Sequence, residues 1–223
     1  MTPKLVIFDV DGTLVDSQNS IVASMTAAFG ALGRPTPARN DLLSIVGLSL
    51  PQAFQILAPW AEDNENQALV QAYKDSFVSD RAGGREGAPL YPGARAALEG
   101  LASRDDIVLG VATGKSKRGL DILIENHDLH GFFQTQQVAD HHPSKPHPAM
   151  VLAALSEVGV DPSDAVMIGD TTFDMDMAAA ANVPGVGVTW GYHSVDSLHR
   201  SPAVAVIKEF NALERTIMEI WNS

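Results

Sequence analysis

Leu5-Val6-Ile7-Phe8-Asp9-Val10-Asp11-Gly12-Thr13-Leu14 opens with four apolar residues and closes on two acids, a glycine and a hydroxyl. The apolar run reads as a fully buried strand, and the two carboxylates sit one residue apart where it ends. In open parallel α/β sheets, reactive groups gather in the crevice beyond the carboxyl ends of the strands. Two acids this close repel each other and lose solvation, so the pair costs stability unless a cation neutralises it. A divalent metal is therefore expected. Carboxylate plus carbonyl oxygen is the ligand set that suits magnesium.

Three further segments extend this reading. Ile107-Val108-Leu109-Gly110-Val111-Ala112-Thr113-Gly114 is a second buried strand ending in a hydroxyl and a glycine. Ser144-Lys145-Pro146-His147-Pro148 sets one lysine in a proline-framed loop. Ala165-Val166-Met167-Ile168-Gly169-Asp170-Thr171-Thr172-Phe173-Asp174 is a third strand, ending in two acids four residues apart. Acid pair, hydroxyl, lysine and acid pair, in that order and each at a strand end or loop, resembles the haloacid dehalogenase superfamily of phosphotransferases. The resemblance covers nearly the whole chain, and within the superfamily it is similar to the phosphoglycolate phosphatase branch.

The rest of the chain fits an α/β architecture. Strand-like runs near 4–10, 106–112, 164–168 and 185–189 alternate with helical patterns, which predicts a Rossmann-like parallel sheet with helices on both faces. One interval breaks the rhythm. Between Val15 and about Tyr91 only helical patterns appear. Asp16 or Ser17 can cap a helix whose Ile21, Met25, Ala28, Phe29 and Leu32 share one face. Ser49-Leu50-Pro51-Gln52 has the spacing of a capping box. A longer helix is expected from about Glu65 to Ser79, with Leu69, Val70, Tyr73 and Phe77 aligned. The expected division is a core of 1–15 and 88–223 with a small all-helical insert, 16–87. Such an insert resembles the superfamily's cap, packed over the active site. Gly83, Gly84 and Gly87 are expected at its return as hinge elements. Val204 to Ile207 is read as a short last strand and Asn211 to Trp221 as a closing helix.

Composition narrows the function classes. The chain has 223 residues, 45% of them hydrophobic, no cysteine and a formal net charge of −12. Thiol nucleophiles, thiolate metal sites and disulfides are excluded. Without a basic cluster, neither nucleic acid nor an anionic membrane is an expected partner. No apolar run is long enough to cross a bilayer, and no secretory leader is seen. The expectation is a cytoplasmic enzyme, monomer or homodimer, acting on a small-molecule phosphate ester. Its acidity requires that Mg2+, Lys145 and backbone N–H groups reverse the field at one spot.

A phosphoryl group can be taken onto a carboxylate to split its slow hydrolysis into two steps. Asp9, first to clear the strand, is the natural nucleophile. Asp11 lies two residues on in extended chain, points to the same side, and is placed to serve as general acid and then base. The resemblance implies the same roles and adds a metal bond from the Asp11 backbone carbonyl. Thr113 can donate to a phosphoryl oxygen with the Gly114 N–H beside it, and it can equally cap the following helix. Lys145 is a point charge suited to the phosphoryl oxygen and to Asp9. Its rivals Lys115 and Lys117 read as solvent-facing. Asp170 is expected to meet the metal directly or through water. Asp174, one helical turn on, is expected to orient waters or Lys145, and Asp176 to lie on the surface.

Substrate selection is expected from the insert, with Val46-Gly47-Leu48-Ser49-Leu50 as the candidate loop and Gly47 as a binding position. All seven histidines fall at or after His127. His141, His142 and His147 flank Lys145 but find no acid or thiolate to complete a tetrahedral metal set, so they read as solvated. His193 and His199 read as ordinary loop positions. The leading expectation is a magnesium-dependent phosphatase of a phosphoglycolate-like ester. A sugar-phosphate mutase shares the core, although that branch usually carries a histidine in the first cap helix and none is present here. A non-catalytic binding protein would be expected to lack one of Asp9, Asp11, Lys145 or Asp170, and all four are retained.

Overall fold

The apolar runs found in the sequence become the centre of one six-stranded sheet. In a computed structural model, which describes residues 3–82 and 87–222, the strands are β1 (Lys4–Phe8), β2 (Ile107–Thr113), β3 (Phe133–Val138), β4 (Ala165–Gly169), β5 (Gly185–Val188) and β6 (Ala205–Ile207). They pair in the order β3-β2-β1-β4-β5-β6, and every pairing is parallel. The order reverses at β1, between β2 and β4. This is the switch point where α/β sheets open a crevice.

Period-two alternation sends β1 side chains to both faces. Val6 and Phe8 join Val111, Ile168, Leu98, Leu120, Leu213 and Ile217 on one side. Leu5 and Ile7 join Met167, Met150, Val151, Ala154 and Met177 on the other. The helices that supply these residues are α5 (Ala94–Ala102), α6 (Lys117–Asn126) and α10 (Leu213–Trp221) on the first face, and α7 (Ala149–Val158) and α8 (Thr172–Ala180) on the second. A strand buried on both faces has no polar phase, which is why its sequence reads as a continuous apolar run. Register completes the arrangement. Phe8 lies beside Val111 on one flank and Ile168 on the other, so these strands end level and Asp9, Thr113 and Asp170 emerge together.

Residues 18–82 are helical between short turns: α1 (Gln18–Ala31), α2 (Arg39–Ser44), α3 (Leu50–Leu57) and α4 (Asp63–Ala82). They bury an apolar cluster of their own, centred on Met25, Phe29, Leu42, Phe54 and Leu69. The Phe29 and Phe54 rings lie 6.0 Å apart, and Phe54 meets Tyr73 edge-on at 6.4 Å. The chain leaves the sheet and returns to it through two adjacent segments. Asp16 N–H donates to Pro89 O at 2.9 Å and Tyr91 N–H to Leu14 O at 2.9 Å, around an antiparallel bridge between Val15 and Leu90. Of the glycines expected at the return, Gly83 and Gly84 lie outside the described residues.

Several local expectations are corrected. The capping box at Ser49 does not form. Ser49 is the N-cap of α3, but its side chain makes no capping bond and its N–H donates to Ser144 Oγ at 2.8 Å. Ser17 is the N-cap of α1, again without a side-chain capping bond, because its hydroxyl is committed elsewhere. The helix expected from Glu65 begins two residues earlier, and α2 was not anticipated. Nor was β3, whose sequence FQTQQV carries few apolar residues. It is an edge strand held by polar contacts. Thr135 Oγ1 and Gln137 Nε2 donate to Glu157 Oε2 on α7, at 2.6 and 2.7 Å. Among the described residues, no helix is long and apolar enough to cross a membrane.

Candidate active site

Asp9 is the first residue beyond β1, and its N–H donates to Ile168 O on β4, which fixes it to the switch point. Its side chain is 1% exposed. Oδ1 accepts from Lys145 Nζ at 2.7 Å, while Oδ2 is buried with no hydrogen-bond partner. Lys145 is 0% exposed and is shared, because Asp174 Oδ1 also accepts from its ammonium at 2.6 Å. Burial opposes the lysine's charge, but Asp174 and Asp9 outweigh it and hold the ammonium protonated beyond its ordinary range. Asp174 is itself positioned by a true capping box at the start of α8. Its Oδ2 accepts from Thr171 N–H at 3.1 Å and Thr171 Oγ1 at 2.7 Å. Thr171, not Asp170, is the helix N-cap, which leaves Asp170 free of that duty.

Asp170 sits beside Asp9 at the end of β4. Its Oδ1 accepts from Thr13 Oγ1 at 2.9 Å and its Oδ2 from the Tyr192 N–H at 2.8 Å. Gly12 makes this approach possible. Its φ is +87°, and a Cβ there would meet Asp170 Oδ2 at 2.3 Å and the Tyr192 ring at 2.5 Å. The role of Tyr192 was not read from the sequence. It follows β5 in Thr189-Trp190-Gly191-Tyr192-His193, and an aromatic pair around a glycine at a strand end was the available signal. Trp190 Nε1 donates to Thr13 O at 3.0 Å, and the Tyr192 hydroxyl pairs with Ser17 Oγ at 2.8 Å. This loop thus clasps the turn that follows Asp9.

Asp11 is held apart from those acids by partners of its own. Its Oδ1 accepts from Ser17 Oγ at 2.6 Å and its Oδ2 pairs with Lys115 Nζ at 2.9 Å. The solvent-facing reading of Lys115 is therefore corrected. Its side chain is mostly buried, over the Phe77 ring and against Asp11. The helical pattern assumed to begin just after Thr113 begins at Lys117, so Lys115 lies in the turn and can reach inward. Ser116 caps α6 by accepting from Gly119 N–H. Thr113 instead stays buried at the strand end, where its Oγ1 accepts from Lys115 N–H at 3.2 Å and keeps its own proton free to donate. Asp176 is exposed, as expected.

Carboxylate oxygens of Asp9, Asp170 and Asp174 lie within 4.8 Å of one another. Three acids against one buried ammonium leave two negative charges uncompensated. Burial pushes the Asp9 carboxyl up to about 7, with Lys145 opposing and Asp174 and Asp11 adding to the rise. Burial likewise raises Asp170 well above the usual carboxylate range, with Asp174 and Asp9 contributing. This charge deficit, with one carboxylate oxygen from each of the three acids gathered at one point, fits a hard divalent cation bound through oxygen. Asp174 has both oxygens engaged by Lys145 and Thr171, which suits it to hold those groups rather than the ion. Asp11 stands outside the carboxylate cluster.

The match to known proteins is extensive. The haloacid dehalogenase-like hydrolase family matches residues 6–188. The chain belongs to that family. It is 38% identical over 215 residues to the probable phosphatase IndB of Dickeya dadantii, covering 93% of this chain and 90% of the relative. It is 30% identical over 208 residues to the phosphoglycolate phosphatase of Pseudomonas syringae pv. tomato, covering 92% and 76%. The crystal structure of a predicted phosphatase from Clostridium acetobutylicum superposes with a TM-score of 0.86 at 26% identity, covering 98% of this chain and all of that one. As a haloacid dehalogenase-like hydrolase, the chain shares with these relatives a fold that spans both the sheet and the helical insert.

In this member of the family the insert reaches the site directly. Val46-Gly47-Leu48 passes over Thr113 and Gly114, so closely that a Cβ on Gly114 would lie 2.5 Å from Gly47 O and 2.7 Å from Leu48 O. A cavity of about 270 Å³ remains in front of Asp9 and Asp11, bordered by Gly47, Thr113 and Gly114. His193, read as an ordinary loop position, ties the two halves together. Its Nδ1 accepts from Thr172 N–H at 3.1 Å, which leaves Nε2–H to donate to Ser44 O at 3.2 Å. His142 pairs with Gln137 Oε1 at 2.8 Å and is pushed down in pKa by burial and by His141. None of the described histidines joins the carboxylate cluster.

Proposed function

We propose that this chain is a magnesium-dependent phosphatase that hydrolyses a small phosphate monoester through an aspartyl-phosphate on Asp9. The observation that carries the reading is the asymmetry of Asp9. One oxygen is held by Lys145 and the other is buried and unpartnered, on a side chain that lines the cavity. A carboxylate oriented in this way has one oxygen ready to attack, and its rotation is already restricted before substrate arrives.

Asp9 and Asp170, with the Asp11 carbonyl, would hold Mg2+, which when bound would neutralise phosphoryl charge and favour ionised carboxylates. Lys145 keeps Asp9 aimed and offers its charge to the transferring phosphoryl oxygens. Thr113 O–H and the Gly114 N–H offer donors where negative charge gathers. Asp11 gives a proton to the leaving oxygen and later takes one from the attacking water. Ser17 and Lys115 hold it in place for both steps. Residues 16–87 act as a cap on a core of 1–15 and 88–223, and the Val46–Leu50 loop closes the site against bulk water. The pairing of segments 14–16 and 89–91 supports a pivot at the crossing. Phosphatase names among the relatives favour hydrolysis over mutase chemistry. So does the insert's lack of any histidine that could relay a proton.

The test is phosphate release from 4-nitrophenyl phosphate with magnesium, followed by acid quench and mass spectrometry of the enzyme. Asp9→Asn is expected to lose about a thousandfold or more in kcat, and the trapped phosphoryl group is expected on Asp9 in the wild type. Turnover by Asp9→Asn at the wild-type rate would refute the covalent step.

A further inference from the structure

The cavity's lining sets what kind of leaving group fits beside the acids. Beyond the catalytic floor its walls are mostly apolar, formed by Met25, Ile45, Val46, Leu48, Leu50 and Phe77, with Ser116 and Asp140 also lining it. Among the described residues three cations border it: Lys74, Lys115 and Arg118. Lys115 is committed to Asp11 at 2.9 Å, and Lys74 and Arg118 are exposed at the rim. Lys145, which is fully buried, is already shared between Asp9 and Asp174 and does not line the cavity. A carboxylate placed between these walls would lose its hydration without gaining a desolvated ion pair. The Tyr73 and Phe77 rings lie stacked, 6.5 Å apart and 11° from parallel, and both border the cavity. Aromatic faces and the flexible Met25 thioether suit a flat or apolar group. A two-carbon acid would leave most of the cavity to water.

We infer that the cavity between the sheet and the helical insert selects phosphate esters of an uncharged, largely apolar or ring-bearing alcohol, and disfavours esters that carry a carboxylate on the leaving group. The inference rests on the phosphatase reading of the same site. Its discriminating atoms are the walls contributed by Ile45, Leu48, Leu50 and Phe77, not the acids.

The test compares benzyl phosphate with 4-carboxybenzyl phosphate, with 4-carbamoylbenzyl phosphate as the neutral control of nearly the same size, and includes phosphoglycolate. Phosphate release is measured with magnesium on the full-length chain. Benzyl phosphate and the neutral control are expected to exceed both carboxylated esters in kcat/KM by about tenfold or more, on the scale that a pocket's apolar walls can discriminate, with the difference mainly in KM. A smaller ratio, or a preference for phosphoglycolate, overturns the inference and leaves the phosphatase reading standing. No release from any of the four overturns both. In the same assay Leu50→Lys, which puts a cation at the cavity wall, is expected to narrow the ratio. An unchanged ratio in the folded variant would remove the selection from this cavity.

Discussion

Lys145 carries a full charge with no exposed surface because two carboxylates, 2.7 and 2.6 Å away, divide it. The division leaves Asp9 half-bonded, and in the proposed mechanism the unbonded half is the one that attacks. Asp11 is treated differently. Ser17 and Lys115 each hold one of its oxygens, so it is anchored without being drawn into the acid cluster. An acid anchored this way matters most when the leaving oxygen needs a proton. Asp11→Asn is therefore expected to slow an alkyl phosphate by about a hundredfold or more in single turnover, and to slow 4-nitrophenyl phosphate far less, since nitrophenolate leaves unprotonated. Equal losses across a leaving-group series would take Asp11 out of that step. Both aspartates, and Asp170 and Lys145, were legible in the sequence because strand ends and a proline-framed loop are local signals. Lys115, Ser17 and Tyr192 were not. Lys115 sits in the turn before a helix that starts two residues later, and Tyr192 lies 175 residues from the Ser17 it meets, so only the sheet order brings those two together.

Elements rather than residues decide how the site is closed. The positions where sequence rules failed, Ser17 and Ser49, are helix N-caps whose capping groups serve contacts across the cleft instead. Ser17 Oγ goes to Asp11, and the Ser49 N–H goes to Ser144 beside Lys145. Local propensity gave way to tertiary contact at the places where the insert meets the site. β3 and α2 escaped for a different reason. α2 is too short to show a helical period, and polar partners rather than an apolar stripe hold β3 in place, so no periodicity marks either. One close contact between elements is Gly114 under the Gly47 and Leu48 carbonyls. These are backbone atoms, so a methyl at Gly114 must displace the 46–48 segment rather than a side chain. Gly114→Ala is expected to raise KM and lower kcat, together about tenfold in kcat/KM, with a stability loss of about 1–3 kcal/mol. Steady-state kinetics and thermal unfolding check both. Kinetics identical to the wild type would show that the insert's loop does not need this approach.

At the scale of the whole molecule, a chain of net charge −12 buries three acids around one lysine and keeps them only at an electrostatic cost. Burial raises the folded Asp9 carboxyl from 3.8 to about 7. The folded state then holds a proton that the unfolded chain has already released, so stability falls as pH rises between about 4 and about 7. Asp170 pushes the same way. His142, lowered by burial, pushes the opposite way over part of that range, so the slope due to Asp9 is the difference between wild type and Asp9→Asn. Magnesium bound as proposed would compete with these protons, because it needs the carboxylates ionised. In chelator, the melting temperature of the wild type is expected to drop by a few degrees from pH 5 to pH 7.5 relative to Asp9→Asn, at roughly 2–4 °C per kcal/mol. Added magnesium is expected to raise it, and by more at pH 7.5 than at pH 5. Calcium should stabilise as well but fail to support turnover, since its looser, higher-coordination shell lets Asp9 bind through both oxygens and removes the free one that attacks. Differential scanning fluorimetry over that pH range, with phosphate release measured on the same samples, checks each part. A magnesium shift that is independent of pH, or full activity in chelator, would break the link between the buried acids and the metal.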